Sequence, residues 1–198
     1  EVVAFSRTST PPLDITDEAS LRDAAASLAP AVPLLVIDAT GFLHDAAHRP
    51  EKAWRELDPA QMARAFALNA IGPALLMKHF LPLLPAQGRA VFATLSARVG
   101  SIGDNRLGGW YSYRASKAAL NQFVRTAAIE LARSRPQAIC VALHPGTVAT
   151  PLSAPFAKAG LAVRDSATAA QELLAVLARL TPADSGGFFD HKGLAVPW

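Results

Sequence analysis

The segment RAVFATLS (89–96) decides the fold class, because its apolar residues run consecutively over the length of a strand. Consecutive rather than alternating apolar residues are typical of a parallel strand that is covered on both faces. A long helical pattern over 111–133 follows, and then a second apolar run, AICVALHPG (138–146). A buried strand, a helix and a further buried strand indicate a βαβ unit.

The alternation of strands and helices continues toward both ends of the chain. Further strands are predicted at 2–5 (VVAF), 14–16, 33–41 (PLLVIDATG) and 186–190 (GGFFD), and further helices over 17–28, from 58 through a kink at Gly72-Pro73, and over 171–180. The 198 residues are therefore predicted to form a single α/β domain built on a Rossmann-type, doubly wound parallel sheet. In such a sheet, ligands bind at the carboxyl ends of the strands.

Composition excludes several other classes of protein. Because 51% of the residues are hydrophobic, the chain is not a disordered one. Its net charge of +3 forms no block of like charge, which predicts no nucleic-acid partner and no membrane surface. The single Cys140 supplies neither a disulfide framework nor a zinc site, so no metal is expected. Neither a leader nor an apolar run approaching about 20 residues is present, which predicts a cytoplasmic protein without a membrane span.

A tyrosine and a lysine stand four residues apart in the helical segment GGWYSYRASKAAL (108–120). Residues at this spacing share one face of a helix, which pairs Lys117 with Tyr113, whereas Tyr111 has Ala115 at the same offset. A nearby ammonium lowers the pKa of a phenol from about 10 and makes it usable as an acid or base. The alternative is an ordinary helix with Lys117 on its surface.

The segment YRASKAALN (113–121) resembles the active-site helix of the short-chain dehydrogenase/reductase family, which begins Tyr-x-x-x-Lys. Four other segments resemble that family in order and type: FALNAIGP (66–73), VFATLSARVG (91–100), HPGTVATP (144–151) and FFDHKGLAVPW (188–198). The last is similar to the end of the branch that contains C-factor-like proteins and small carbonyl reductases. This resemblance implies hydride transfer between NADP(H) or NAD(H) and a carbonyl/alcohol pair.

The resemblance also implies roles for individual residues. Tyr113 becomes the proton donor to the carbonyl oxygen, and Lys117 lowers its pKa and holds the nicotinamide ribose. Ser96 hydrogen-bonds the substrate oxygen, and Asn69 holds a water that relays protons to Lys117. From the sequence alone, an apolar helix face containing Asn69 is equally compatible with a structural asparagine whose amide is satisfied.

The position of the serine departs from the family pattern. Ser96 lies four residues before Gly100, whereas Ala97 occupies the usual offset of three. Ser101, twelve residues before Tyr113, is the rival candidate. We prefer Ser96, because it ends a strand and sites form there.

Two segments are implied to line the cofactor. The segment DATG (38–41), with Ala39, Thr40 and Gly41, stands where the family has Asn-Asn-Ala-Gly. The family's glycine is kept as Gly41, which permits close approach of the cofactor, but its structural asparagine is not. In the second segment, the implied cofactor residues are Pro145, Gly146, Thr147, Val148 and Thr150.

Cofactor preference is predicted from the end of VVAF (2–5). An acidic residue there is typical of NAD enzymes, but Arg7 follows instead and suits the 2′-phosphate of NADP(H). NADP(H) is therefore preferred and NAD(H) remains possible. Asp14 resembles the family aspartate near the adenine amino group.

The family's first strand and glycine-rich phosphate loop have no counterpart in the sequence. Glu1 stands where the second strand of the family begins, so we expect a segment of about 30 residues upstream, the size of a strand–loop–helix unit. The missing loop favours an alternative function, a non-catalytic signalling or interaction protein on a dinucleotide-binding fold. Asn69, Tyr113 and Lys117 argue against that alternative.

Substrate and assembly are less closely specified. Residues 147–163 are expected to cover the pocket, and their apolar members Leu152, Pro155, Phe156 and Leu161 suit a small uncharged carbonyl or alcohol substrate. Trp110 either lines that pocket or packs in the core. The resemblance implies a homodimer or homotetramer that forms through the helices at 58–80 and 111–133.

Overall fold

A parallel sheet forms the centre of the protein in a computed structural model that describes residues 1–156 and 163–198. The six strands of the described residues are β1 (Leu35–Asp38), β2 (Ala90–Leu95), β3 (Ala138–His144), β4 (Thr147–Val148), β5 (Val163–Arg164) and β6 (Phe188–Asp190). Four of them pair in the order β1-β2-β3-β6, all parallel, and β4 and β5 form a separate parallel pair. The predicted α/β, Rossmann-type fold is confirmed.

Helices cover both faces of this sheet. Those longer than one turn are α1 (Glu18–Ala26), α2 (Pro59–Phe66), a π-helical segment (Ala67–Ile71), α3 (Gly72–Phe80), α4 (Tyr111–Ser134) and α5 (Ser166–Arg179). Helix α5 starts five residues earlier than the sequence pattern predicts, because Asp165 accepts a hydrogen bond from the backbone N–H of Thr168 and caps it.

The core is divided between the two faces of the sheet, because successive strand residues point to opposite sides. Phe92 and Cys140 face α4, where they pack with Leu120 and Val124. The alternate strand residues Val91, Ile139 and Val141 pack instead on Leu173, Val176 and Leu177 of α5. Burial raises the pKa of the Cys140 thiol to about 12, so the cysteine acts as a core side chain.

The two strands predicted nearest the N-terminus are wrong. Residues 2–5 form no strand, and Val2 is 92% exposed, since none of the described residues forms a strand beside them for pairing. Phe5 instead packs edge-on against Phe80. Residues 14–16 form a turn, in which the Asp14 carboxylate accepts hydrogen bonds from the backbone N–H and hydroxyl of Thr16.

The kink predicted at Gly72-Pro73 takes the form of the π-helical segment directly before it. Pro73 has no N–H to offer the carbonyl four residues earlier, which is that of Asn69, so the regular ladder is interrupted there. Gly72 is required at this point, because a side-chain Cβ would lie 2.5 Å from Ile15.

The helical stretch Pro59–Leu83 is the one candidate membrane span in the described residues by length and composition, with 25 residues and a hydropathy of 1.2. The sequence pattern predicts no apolar run of this length, because Asn69 and Lys78 interrupt the stretch. Averaged over a window, its hydropathy is nevertheless high enough. The stretch packs against α1 and α4 and contributes Leu76, Met77 and Phe80 to the core. The stretch therefore packs as a helix of the protein core.

Candidate active site

The predicted catalytic residues Tyr113, Lys117 and Ser96 converge at the carboxyl edge of the sheet. The first turns of α4 lie over this edge and bring Tyr113 and Lys117 to it. Gly100 allows the close approach, because a Cβ there would lie 2.7 Å from the Cβ of Lys117. The carboxyl edge of a doubly wound sheet is where such folds bind their ligands.

Lys117 is a buried residue, only 2% exposed, which excludes the ordinary surface lysine. Its Nζ donates a hydrogen bond to the backbone oxygen of Leu95, the last residue of β2, at 2.7 Å. Burial lowers its pKa to about 8, against the opposing attraction of Asp38. An ammonium has three N–H donors, and the bond to Leu95 occupies one of them.

Tyr113 lies one turn before Lys117 and is 9% exposed. Burial raises the pKa of its phenol to about 12, so the lowering expected from Lys117 is not found. The Lys117 ammonium donates its hydrogen bond to the carbonyl of Leu95. At neutral pH the Tyr113 hydroxyl is protonated, which is the state that a proton donor requires.

Asn69 is fully buried in the π-helical segment, and both the oxygen and the nitrogen of its side-chain amide are hydrogen-bonded. Its Oδ1 accepts a hydrogen bond from the Phe42 N–H at 2.7 Å, and its Nδ2 donates to the Phe42 oxygen at 2.7 Å and to the Ser116 hydroxyl at 3.1 Å. The side chain therefore ties the segment after β1 to α4. This contact pattern is that of the structural asparagine, and the water relay stays a prediction.

The two candidate serines are both buried, and each has a hydrogen-bond partner other than Tyr113. The Ser96 hydroxyl donates to Oδ1 of Asn121 in α4 at 2.6 Å. The Ser101 hydroxyl accepts a hydrogen bond from the Asp104 backbone at 3.1 Å. Asn121 is a residue that sequence reasoning missed, although it ends the quoted segment YRASKAALN.

The DATG turn is shaped by Asp38, which is buried at the end of β1. Its carboxylate accepts hydrogen bonds from the backbone and hydroxyl of Thr40 at 2.9 and 2.7 Å, and from the Thr94 hydroxyl at 2.6 Å. These bonds fix the turn through Ala39 and connect it to β2. Gly41 then lies beside Lys117, whose Nζ is 3.9 Å from the position of a Cβ at Gly41.

The second predicted cofactor segment begins after β3. Gly146 adopts a φ of +75°, a left-handed conformation that favours glycine, and a Cβ there would lie 2.6 Å from the Arg164 guanidinium. After Pro145 and Gly146, residues Thr147 and Val148 form β4 and Thr150 starts a turn in which its N–H donates to the Ser153 hydroxyl.

An apolar wall stands beside Tyr113. Its members are Leu43, Ala97, Val99, Trp110, Leu152 and Phe156. The Trp110 ring lies 5.1 Å from that of Phe156 and 6.2 Å from that of Tyr113, so Trp110 lines the site. His44 contacts the backbone oxygens of Pro151 and Leu152 at 3.2 and 3.1 Å, which fastens the covering segment. Pro155 is exposed, and Leu161 lies outside the described residues.

Arg7 and Asp14 lie in the N-terminal segment. Arg7 is exposed. The pKa of Asp14 is lowered mainly by its hydrogen bonds to Thr16, with a smaller contribution from the charge of Arg7. The two side chains are therefore close enough for their charges to interact.

Glu51 is a second residue that sequence reasoning missed. Its buried carboxylate accepts hydrogen bonds from the backbone N–H of Ser112, at 3.1 Å, and from the Ser112 hydroxyl. Its backbone oxygen also accepts from the N–H of Trp110, which has a left-handed φ of 54° and provides no side-chain cap. Glu51 thus caps α4 from 61 residues away and fixes the turn that carries Tyr113.

We expect Glu51→Ala to lower the free energy of unfolding by about 2–4 kcal/mol, because it leaves buried donors of Ser112 unpaired. Urea unfolding followed by circular dichroism measures the effect. Glu130→Ala, at an exposed position of α4, is the matched control and is expected to change the value by less than about 0.5 kcal/mol. Equal stabilities of the two variants would contradict the capping role.

Comparison with known proteins agrees with this architecture. The sequence profile described as enoyl-(acyl carrier protein) reductase matches residues 3–186. The C-signal protein of Myxococcus xanthus is 41% identical over 144 residues, which cover 72% of this chain and 82% of that protein. The 1-hydroxy-2-glutathionyl-2-methyl-3-butene dehydrogenase of a Rhodococcus strain is 31% identical over 203 residues, covering 100% of this chain and 84% of the relative.

Solved structures show the same fold. The NADPH-bound carbonyl reductase from chicken fatty liver superposes with a TM-score of 0.82 at 30% identity, covering 94% of this chain and 76% of that one. A short-chain dehydrogenase/reductase from Burkholderia multivorans with bound NADP has a TM-score of 0.79 at 28% identity, with the same coverage. The chain therefore belongs to the short-chain dehydrogenase/reductase family and is of the C-signal and carbonyl reductase type.

Proposed function

We propose that this protein is an NADP(H)-dependent oxidoreductase that interconverts a carbonyl and an alcohol. The observation that carries the proposal is the buried pair Tyr113 and Lys117, one helical turn apart at the carboxyl edge of the parallel sheet. A lysine is rarely buried without a partner or a function, and within residues 1–156 and 163–198 the one hydrogen bond of the Lys117 ammonium goes to Leu95 and leaves further N–H donors.

The residues at this edge fit a nicotinamide ribose. Lys117 offers further N–H donors, which suit the two hydroxyl acceptors of a ribose. Gly41, beside that ammonium, has no side chain to obstruct approach. When bound, the reduced nicotinamide supplies the hydride that a carbonyl carbon accepts.

The side chains of this protein then handle the proton and the substrate. Tyr113 donates its phenolic proton to the carbonyl oxygen as the hydride reaches the carbon, which gives the alcohol. Lys117 holds the ribose, while Asn69 keeps the π-helical segment against α4 through its bond to Ser116. The apolar wall of Leu43, Trp110 and neighbouring residues favours an uncharged substrate. Ser96 is not assigned a role in the reaction, because its hydroxyl is directed to Asn121.

NADPH is expected to bind at least about tenfold more tightly than NADH, and Arg7→Ala is expected to remove most of that preference. A guanidinium–phosphate contact is among the stronger charge-assisted hydrogen bonds, and NADH lacks the 2′-phosphate. Titrations of both cofactors by fluorescence measure the ratio. Arg133→Ala, an exposed arginine at the far end of α4, is the control and keeps the wild-type ratio. Tighter binding of NADH by the wild type contradicts the proposal.

The second candidate is a non-catalytic signalling or interaction protein, which the 41% identity to the C-signal protein favours. The two functions differ in a direct assay. A screen of aldehydes and ketones with NADPH, followed by absorbance at the nicotinamide band, shows turnover if the protein is an enzyme. Binding of NADPH without turnover of any carbonyl compound supports the second candidate.

A further inference from the structure

Ala97 is the first residue after Ser96 at the end of β2, and it is the one that faces Tyr113. It is 9% exposed and packs in the same apolar cluster as Tyr113, Leu43 and Trp110. Its backbone is extended, with φ −143° and ψ 141°. Successive residues of an extended chain point to opposite sides, so a side chain at 97 and one at 96 cannot both face the phenol.

The Ser96 side chain occupies the other side. Its hydroxyl lies 2.6 Å from Oδ1 of Asn121, and its backbone N–H donates to the Leu143 oxygen at 2.8 Å. Ser96 therefore joins the ends of β2 and β3 to α4. It is a structural contact, buried on the side away from the apolar wall.

Three other serine hydroxyls in the described residues have hydrogen-bond partners of their own. Ser101 accepts from Asp104, Ser112 donates to Glu51, and Ser116 donates to the Tyr113 backbone oxygen at 2.9 Å. The residue that follows β2 and packs against Tyr113 is Ala97, whose methyl side chain carries no hydrogen-bond donor.

From this geometry we infer that the reacting carbonyl oxygen meets Tyr113 without a serine hydroxyl beside it, because Ala97 occupies that position. The inference rests on the proposed function and narrows its substrate class. A second hydrogen-bond donor stabilises the charge that develops on the oxygen, and its loss slows simple carbonyls most. The substrates are therefore strongly electrophilic carbonyl compounds, above all 1,2-dicarbonyls, in which the neighbouring carbonyl withdraws electrons and lowers the need for that donor.

The reaction balances with the groups named. A hydride from the reduced nicotinamide forms the new C–H bond at one carbonyl carbon, and the π electrons of that C=O bond move to its oxygen. The oxygen takes the proton of Tyr113. The products are a hydroxyketone and the oxidised nicotinamide.

The test uses two substrates that share a phenyl ring, acetophenone and 1-phenyl-1,2-propanedione, with NADPH. The wild type is expected to reduce the dione at least about 100-fold more efficiently by kcat/KM. Ala97→Ser is expected to raise kcat/KM for acetophenone by about 10- to 100-fold and for the dione by less than about threefold. Ala97→Cys, similar in size to Ala97→Ser but a weak donor, is the matched control and keeps both kcat/KM values close to those of the wild type.

Ser96→Ala tests whether the serine at position 96, rather than the residue at position 97, affects the reaction. We expect it to lower the melting temperature but to keep kcat/KM for the dione within about threefold of the wild type. Loss of dione reduction in Ser96→Ala, with NADPH binding retained, overturns the inference, and so does an Ala97→Ser variant that reduces the dione but gains nothing with acetophenone. Binding of NADPH without turnover of either substrate by any variant overturns the proposed function itself.

Discussion

Tyr113→Phe is expected to lower kcat for carbonyl reduction by about a thousandfold while leaving the fold intact. The substitution removes the phenolic proton donor, and a positioned general acid contributes typically 10²- to 10⁴-fold. The aromatic ring itself remains, so its edge-on contact with Trp110 and its packing on Ala97 persist. NADPH oxidation with 1-phenyl-1,2-propanedione, measured together with the melting temperature, separates the chemical effect from a structural one.

Tyr111→Phe is the matched control, since Tyr111 lies in the same turn of α4 but has Ala115 rather than Lys117 four residues later. It is expected to keep more than about half of the wild-type kcat. Comparable losses in the two variants, at unchanged melting temperature, would show that the assignment of Tyr113 is wrong.

The parallel sheet could be predicted from the sequence, because strands that are buried on both faces consist mostly of consecutive apolar residues. The runs at 89–96 and 138–146 are mostly apolar, and each contains a central strand of the sheet. Residues 2–5 carry a similar apolar pattern, yet they form no strand. A strand also needs a neighbour with which to hydrogen-bond, and the pattern of a single segment contains no information about that neighbour.

The pairing of Tyr113 with Lys117 could be predicted because it is local, with both residues on one helical face. The direction of the Ser96 hydroxyl could not, since it depends on Asn121, which is 25 residues away in the sequence. The capping role of Glu51 could not be predicted for the same reason, because its contact with Ser112 spans 61 residues. Spacing rules describe neighbours within one element, whereas these contacts exist only once the elements have packed.

The pKa of Tyr113 shows a further limit of spacing rules. A cation four residues away suggested a lowered value, but burial acts on both groups of the pair. It raises the pKa of the phenol to about 12 and lowers that of the ammonium to about 8. Whether a cation stabilises a phenolate depends on where its ammonium points, and here it points to Leu95.

Lys117→Met is expected to have opposite effects on activity and on stability. Activity should fall by about 10²- to 10³-fold, because the variant loses the donors proposed to hold the ribose in place for hydride transfer. The Michaelis constant for NADPH should rise in parallel. Methionine has a similar length and no charge, so the core position of a 2% exposed side chain remains filled.

The free energy of unfolding of Lys117→Met should equal or exceed that of the wild type at neutral pH. The effect of pH on the charge of Lys117 determines the sign of this difference. The pKa of Lys117 falls from 10.5 to about 8 on folding, which corresponds to a cost of about 3 kcal/mol for holding the ammonium in the core below pH 8. Between about pH 8 and 10.5 the unfolded chain still binds the proton that the folded protein has lost, so this cost fades and the wild type gains stability as pH rises.

Methionine removes that cost but leaves the Leu95 carbonyl without its donor, which costs about 1–3 kcal/mol. The variant is therefore expected to be up to about 2 kcal/mol more stable than the wild type at pH 7, with the difference decreasing or reversing by pH 10. Urea unfolding at the two pH values measures it, and Lys192→Met, at an exposed position, should change neither activity nor stability. A Lys117→Met variant that is markedly less stable at pH 7 would mean that the lysine is retained for the fold. One that is stable but inactive would mean that Lys117 is retained for the reaction, because only a functional requirement then accounts for a charge held in the core.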